Sequence, residues 1–331
     1  MYDHYVALDW AQRNMAIARM TAVSSRVTTV DVPSNIADLQ LYLSQLKGKK
    51  TLTFEETTTS QWLYTELREY VDELVVCDPR RNRLLSEGPK TDRIDAEKLV
   101  RLLRADLLKP VFHSGDQFIY LRKVVSGYQD LVQSGVRIQN QRAALFRAQG
   151  QAKSEACLQH PAGRFVLEGI ERAISQYEQE KARYQGHFEK LASKHLMIRN
   201  LTALPGVGAI GAVKIAAIVV DARRFKNKGH FLSYCGLVKL DRVSGGKSYG
   251  KKNPRYCRPL KSVFKTAAFT AAVRDNRRGP MRQYYLQLLE HGNYPEHNAR
   301  HKVARRIAIL AYGVMKSGKR FDVRRLSCKA V

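Results

Sequence analysis

Two aspartates three residues apart, Asp92 and Asp95, stand in the run Thr91-Asp92-Arg93-Ile94-Asp95-Ala96, inside an apolar-periodic segment that continues to Leu103. On a helix, positions i and i+3 share a face, so these carboxylates repel each other unless a cation sits between them. A Mg²⁺ site for phosphate chemistry is built that way, although a solvated helix face carries such pairs too. Two further acids stand where apolar runs end: Asp9 after Tyr5-Val6-Ala7-Leu8, and Glu55 after Thr51-Leu52-Thr53-Phe54. Glu56 competes with Glu55; strand alternation lets one of them point into a common site and does not say which. In a ribonuclease-H-type sheet, such strand ends and such a helix converge on one edge. Four converging acids can hold two Mg²⁺ ions, which activate one oxygen and stabilise another during phosphodiester displacement. A second chemistry is offered by Ser244 in Val243-Ser244-Gly245-Gly246-Lys247. The glycines give backbone access and Lys247 a positive charge, but a serine is a weak nucleophile until something activates it. By itself this is a serine in a flexible loop.

The elements that must position these residues follow from pattern. Tyr5 to Asp9 reads as a buried strand, with Asn14 to Met20 and Arg26 to Val32 as hairpin partners. Pro33-Ser34-Asn35 starts a helix whose apolar stripe is Ile36, Leu39, Leu43 and Leu46. Gly48-Lys49-Lys50 is a turn, Thr51 to Glu55 a strand, Trp62 to Tyr70 a helix, and Glu73 to Asp78 a strand closed by Pro79. This order predicts an α/β first domain. Residues 111–150 read as helical and basic. Leu167, Ile170, Ile174, Tyr177, Lys181, Tyr184, Phe188, Leu191 and His195 alternate spacings of three and four, the seam of an antiparallel or intermolecular coiled coil; one helix packed on its own domain is the alternative. Leu204-Pro205-Gly206-Val207-Gly208, followed by Ile210, Val213, Ile215 and Ile218, resembles a helix-hairpin-helix turn. There Gly206 and Gly208, after Pro205, would let backbone N–H groups approach a phosphate; an ordinary helix–helix turn is the alternative. Val303, Ile307, Leu310 and Val314 form a last helical stripe, with Arg305 and Arg306 opposite.

Charge separates the chain into two parts. Residues 1–110 hold 16 basic and 16 acidic side chains, residues 111–331 hold 41 and 14, so the whole net charge of +27 lies in the second part. A neutral module beside a long basic surface points to a polyanion partner, nucleic acid first. Lys247, Lys251, Lys252, Arg255, Arg258, Lys261 and Lys265 crowd one stretch, interleaved with Tyr249, Tyr256 and Phe264, which suits phosphate contacts with some base stacking; a solvated basic face with core aromatics is the alternative. The five cysteines show no C-x-x-C pair, which argues against zinc sites and a disulfide framework. His297 and His301 sit four apart without further ligands. The N-terminus does not read as a signal peptide. The longest apolar run, Ala209 to Val220, is too short to span a bilayer and contains Lys214. A soluble, cytosolic protein not associated with membrane is the expectation.

Taken in order, these pieces resemble the insertion-sequence-110 family of DEDD transposases, the bridge-RNA-guided recombinases related to Piv-type invertases. Ala7-Leu8-Asp9 resembles the first-acid strand. Glu55-Glu56-Thr57-Thr58 resembles the family's Glu-Ala-Thr-Gly, which assigns the second acid to Glu55. Lys90 to Ala96 resembles the segment of the third and fourth acids. Pro205 to Gly208, Tyr234-Cys235-Gly236-Leu237, Ser244 to Lys247 and Ala311 to Lys316 resemble the C-terminal transposase domain and its closing helix. The resemblance implies a RuvC-like catalytic domain with trailing helices over 1–150, a coiled-coil linker over 151–197 and a helical, basic transposase domain over 198–331. It further implies Mg²⁺ on Asp9, Glu55, Asp92 and Asp95, and Ser244 as the nucleophile of a covalent phosphoserine intermediate, contributed by a second subunit. Donor DNA, target DNA and a non-coding bridge RNA are the implied partners, in a homo-oligomer of the dimer-of-dimers kind. Two departures stand out. Glu56 and Thr58 replace small residues, and the basic segment after the serine reads Lys251 to Arg258 with a different backbone. Rival readings are a RuvC-like nuclease that uses water, a Piv-type invertase acting on inverted repeats, and a non-enzymatic basic scaffold.

Overall fold

Alternation along the first strands sorts side chains onto two unlike faces. Val6, Leu8, Met15, Ile17, Leu52 and Phe54 form one buried face; Ala7, Ala16, Ala18 and Met20 lie on the other. In the computed structural model, which describes residues 2–79, 91–114, 116–148, 160–274, 279–290, 292 and 294–322, they belong to a five-stranded sheet. Its strands are β1 (His4–Trp10), β2 (Asn14–Thr21), β3 (Thr28–Pro33), β4 (Lys50–Glu55) and β5 (Glu73–Cys77), in the order β3-β2-β1-β4-β5. The β1–β2 and β2–β3 pairs are antiparallel, β1–β4 and β4–β5 parallel. The larger apolar face takes two helices, α1 (Ile36–Gln45) through Leu39 and Leu43, and α2 (Ser60–Leu67) through Leu63 and Leu67. The alanine face takes α3 (Asp92–Arg104) through Ala96, Leu99, Val100 and Leu103. Small side chains under α3 let its backbone lie close to β1 and β2. Arg93 and Arg104 then fasten its two ends, through the Thr29 carbonyl and through those of Ala22 and Ser24.

The first compact unit covers residues 1–116 and the second 117–331. The division expected near residue 150 does not coincide with this one: the trailing helix α4 (Asp116–Arg147) packs with the second unit. It runs antiparallel to α5 (Pro161–Lys194). Tyr120 meets His187 at 2.7 Å, the Tyr128 ring packs on Tyr184 and Phe188, and Arg142 pairs with Glu171 at 3.0 Å. Gly127 and Gly135 make room for the Tyr184 and Tyr177 side chains. The seam of threes and fours is thus the less exposed side of α5 from Leu167 to Leu191, and its partner lies in the same chain. His195 ends the helix as its exposed C-cap and is no seam residue.

Beyond it come α6 (Leu196–Thr202), α7 (Ala209–Val219), α8 (Lys228–Tyr234), α9 (Arg258–Phe269), α10 (Pro280–Glu290) and α11 (Glu296–Ser317). They share one core, with Phe188, Ile215, Phe231, Phe264 and Ile307 fully buried. Among the described residues this second unit is helical except for one two-stranded sheet, β6 (Leu240–Ser244) and β7 (Lys247–Lys252). The protein is therefore a mixed α/β chain with an N-terminal sheet and a helical C-terminal part.

Candidate catalytic carboxylates and an exposed serine hairpin

Register decides between Glu55 and Glu56. The parallel pairing sets Leu8 beside Phe54, so Asp9 and Glu55 are the next neighbours along β1 and β4. Leu8 and Phe54 point to the α1 and α2 face. One step on, Asp9 and Glu55 point to the α3 face. Glu56 lies past the end of β4, exposed, with its N–H bonded to the Cys77 carbonyl.

The last two acids arrive on α3. Thr91 is its N-cap, accepting from the Ile94 N–H at 3.3 Å, and this fixes Asp92 and Asp95 in the first turn. Both act on Asp9. Burial, then the charges of Asp92 and Asp95, raise the Asp9 carboxyl from 3.8 to about 6. Asp95 Oδ1 is buried without a hydrogen-bond partner. Three of the four expected acids are thus brought together electrostatically, and Glu55 stands one strand over on the same face. Among the described residues, no three His, Cys, Asp or Glu side chains lie close enough to enclose a metal ion as they stand. The donor set is all carboxylate oxygen, the chemistry Mg²⁺ prefers, and the orphaned Asp95 oxygen is a lone pair available to a cation. The residues fit such an ion in kind.

Ser244 is not on a flexible loop. Val243 pairs with Ser248 and Ser244 with Lys247 across a β-hairpin, turned by Gly245 at φ 54° and Gly246 at φ 76°. Two successive left-handed residues make the tight hairpin turn that Gly-Gly favours. Every residue of the hairpin is exposed. Its register holds the Lys247 backbone opposite the serine, and Tyr249 and Lys252 border the same open depression.

The basic stretch divides by burial. Lys247, Lys251, Lys252, Arg255, Arg258 and Lys265 are exposed, Lys251 facing Asp241 at 3.7 Å. Lys261 lies over the Tyr256 ring at 4.3 Å. Of the three interleaved aromatics only Tyr249 is free to stack, at 64% exposure; Phe264 is core, and Tyr256 packs against Gly236. The helix-hairpin-helix-like turn also divides. Gly206, at φ +72°, is pressed on the Ala267 carbonyl of α9, so its glycine serves packing. Gly208 has open space where a side chain would stand and caps α7. Pro205, half-buried, leads into this turn. A cleft of about 580 Å³ opens there, bordered by Gly208, Lys214, Ser262, Thr266 and Glu189. Burial lowers the Lys214 pKa.

Sequence reasoning passes over the two tryptophans. Trp10 directly follows Asp9 and meets Trp62 of α2 edge to face, at 5.5 Å between centroids. An aromatic next to a strand-ending acid is the available signal.

Among the described residues, no helix is long and apolar enough to cross a membrane. Two family profiles match the chain. One, described as "Transposase", of the DEDD IS110 type, covers residues 6–148; the other, "Transposase IS116/IS110/IS902 family", covers residues 198–286. The chain is 35% identical over 88 residues to the uncharacterized protein of insertion element IS116 from Streptomyces clavuligerus, covering 26% of this chain and 21% of that protein. It is 28% identical over 266 residues to putative transposase y4qE of Sinorhizobium fredii, covering 73% and 65%. A third relative, the uncharacterized protein of insertion element IS110 from Streptomyces coelicolor, is 24% identical over 160 residues, covering 48% and 38%. The chain therefore matches between a fifth and two thirds of the length of these relatives. With one profile over the carboxylate unit and the other over the helical core and its serine hairpin, the chain belongs to the IS116/IS110/IS902 family of transposases.

Proposed function

We propose that this protein is an RNA-guided DNA transposase that cuts and rejoins strands through a covalent phosphoserine. The observation that carries the reading is the meeting of Asp92 and Asp95, on the first turn of α3, with Asp9 at the end of β1. The strand order β3-β2-β1-β4-β5, with its antiparallel first three strands, supports a RuvC-like (ribonuclease-H-type) sheet. Asp9, Glu55, Asp92 and Asp95 would hold Mg²⁺. Such an ion, when bound, supplies charge neutralisation at a scissile phosphate.

The chain's own residues do the rest. Asp9 must be ionised to act as a ligand, so it gives up the proton that burial and its neighbours favour. Ser244 Oγ, at an exposed hairpin tip, can reach a phosphate without displacing core. It attacks phosphorus, forms the seryl phosphodiester and releases a sugar hydroxyl; the reverse attack by another hydroxyl reseals DNA and frees the serine. Lys247, across the turn, adds positive charge near the attacking oxygen and the phosphate. Lys251, Lys252, Arg255, Arg258, Lys261 and the open amide end of α7 at Gly208 would track nucleic-acid backbone. The segment 151–197, which carries α5, serves as a coiled-coil linker between the regions 1–150 and 198–331. A bridge RNA, donor and target DNA, a dimer of dimers and a nucleoid location complete the proposal.

The test is strand cleavage and joining by Asp92→Ala and Asp95→Ala variants, with DNA binding measured alongside. The reading expects the reaction lost and binding kept. An active Asp95→Ala variant would reject the carboxylate assignment.

A further inference from the structure

At the end of β1 the chain sets an acid and an aromatic pair on opposite faces of one sheet edge. Asp9 points to α3; Trp10, the next residue, about 3.8 Å on by Cα spacing, points to the α1 and α2 face and is partly buried there. Trp62 stands at the start of α2, which leaves the C-terminal end of β4, where Glu55 stands. It meets Trp10 edge to face and is itself 43% exposed.

An exposed tryptophan calls for a reason. Folding the first unit does not supply it: Leu63 and Leu67 already anchor α2 in the core, and Trp62 lies on the rim. What surrounds it argues for a nucleobase over a protein surface. The preceding segment, Glu56-Thr57-Thr58, is polar and exposed, and the Thr57 and Thr59 hydroxyls bond each other at 3.0 Å. A protein interface centres on a contiguous apolar patch with a polar rim. Stacking by a base asks only for one broad, propped π-face.

We propose that Trp62, propped by Trp10, is a stacking platform for an unpaired DNA base on the strand whose phosphate is handled at Asp9. The proposal rests on the reading of the carboxylates as a DNA site. It deepens that reading by specifying the state of the substrate at the cut. Asp9 and the ring pair lie on opposite faces of that edge and Trp62 stands beyond Trp10, 5.5 Å away between ring centroids, so at about 3.4 Å per stacked nucleotide a phosphate at Asp9 and a base at Trp62 belong to one strand crossing the edge, a few nucleotides apart. A base inside a duplex offers no free face, so the strand is unpaired there. Every base has a π-face, so the platform tolerates any sequence.

Composition makes the test direct. Trp10 and Trp62 are the only tryptophans among the 331 residues, so binding to the basic second unit is silent in tryptophan emission. The full chain is titrated with a single-stranded DNA oligonucleotide and with a sugar-phosphate oligomer of equal length lacking bases. Magnesium is withheld to prevent turnover, and salt is raised to weaken phosphate contacts. The expected result is quenching by the base-bearing strand and none by the abasic one. Trp62→Ala should bind the base-bearing strand roughly tenfold more weakly, a typical cost of losing one base–aromatic stack, and Trp62→Phe should keep most of the affinity. A melting transition by circular dichroism like the parent's reports a folded variant. Equal quenching by both oligomers, or unchanged affinity in Trp62→Ala, overturns the proposal. So does a Trp62→Ala variant that loses subunit assembly in light scattering while binding single strands normally, since Trp62 would then cover protein. Asp95→Asn separates the two ideas: it should abolish cleavage and leave the quenching intact. Quenching with full Asp95→Asn activity would reject the carboxylate reading and keep the platform; cleavage lost without any quenching in the parent would do the reverse.

Discussion

Replacing Asp9 by asparagine should make the metal-free protein more stable and inactive at once. In the folded chain the Asp9 carboxyl titrates at about 6, against 3.8 for the free group, because burial and the charges of Asp92 and Asp95 disfavour its ionised form. Below pH 3.8 folded and unfolded chains both carry the proton. As pH rises from there, the unfolded chain releases it while the folded chain keeps it, so stability falls. The loss is complete once pH passes about 6. At 1.36 kcal/mol per pH unit the cost at neutral pH is about 3 kcal/mol, nearer 2 once solvent screening of this partly exposed site is counted. Asn keeps the shape without the charge. In calorimetry at pH 7.5 with chelator present, Asp9→Asn should raise the melting temperature of the first unit by roughly 5–10 °C. The gain should shrink to roughly a fifth at pH 4, and magnesium should stabilise the parent but not the variant. Strand cleavage should fall below detection. An Asp9→Asn variant that melts lower than the parent at pH 7.5, or shows the same difference at both pH values, would refute the electrostatic reasoning.

Other perturbations have equally definite expectations. Gly206→Ala places a methyl group against the Ala267 carbonyl at a left-handed backbone position and should destabilise the second unit by about 2 kcal/mol or more, read by denaturant melts; a neutral result would mean that the turn is not pressed on α9. Gly135→Ala collides with the Tyr177 ring on the facing helix, so Gly135→Ala and Tyr177→Ala should couple by about 1 kcal/mol in a double-mutant cycle; additive effects would deny the α4–α5 pairing. Lys247→Ala with Lys252→Ala should leave melting unchanged, since both are exposed, and reduce the slope of log affinity against log salt by ~0.9 for each phosphate no longer neutralised; an unaltered slope would place nucleic acid elsewhere.

The sheet is legible because burial on two sides leaves a strong trace. Val6-Ala7-Leu8 and Leu52-Thr53-Phe54 are short, fully buried runs whose length and bounding turn residues mark strands, and Thr91 before Asp92 marks a helix start. The choice between Glu55 and Glu56 is not legible from the residues alone, because it depends on the register of β4 against β1, a non-local property. Ser244 reads as a loop residue although Gly245-Gly246 between Val243 and Tyr249 carries a two-residue hairpin signal; the density of lysines hides it. Phe264 falls among the stacking aromatics because basic residues surround it in sequence. Its spacing to Leu260, Ala267 and Ala268 is instead that of a buried helical stripe. The seam on α5 is visible in the sequence, and its complement on α4 is the stripe Leu121, Val125, Tyr128 and Val132, with Gly127 and Gly135 making room for the facing tyrosines.

The central claim is that Ser244 and the four acids serve one reaction on DNA, and trapping the covalent product tests it most directly. Protein, magnesium, donor DNA and RNA transcribed from the non-coding DNA flanking the gene are mixed, then denatured and resolved for DNA-linked protein. The account predicts an adduct in the parent and none in Ser244→Ala, which should melt like the parent because the hairpin tip is exposed. It also predicts no adduct in Asp95→Asn. Cleavage without an adduct, unchanged in Ser244→Ala, would contradict it and leave a nuclease that uses water.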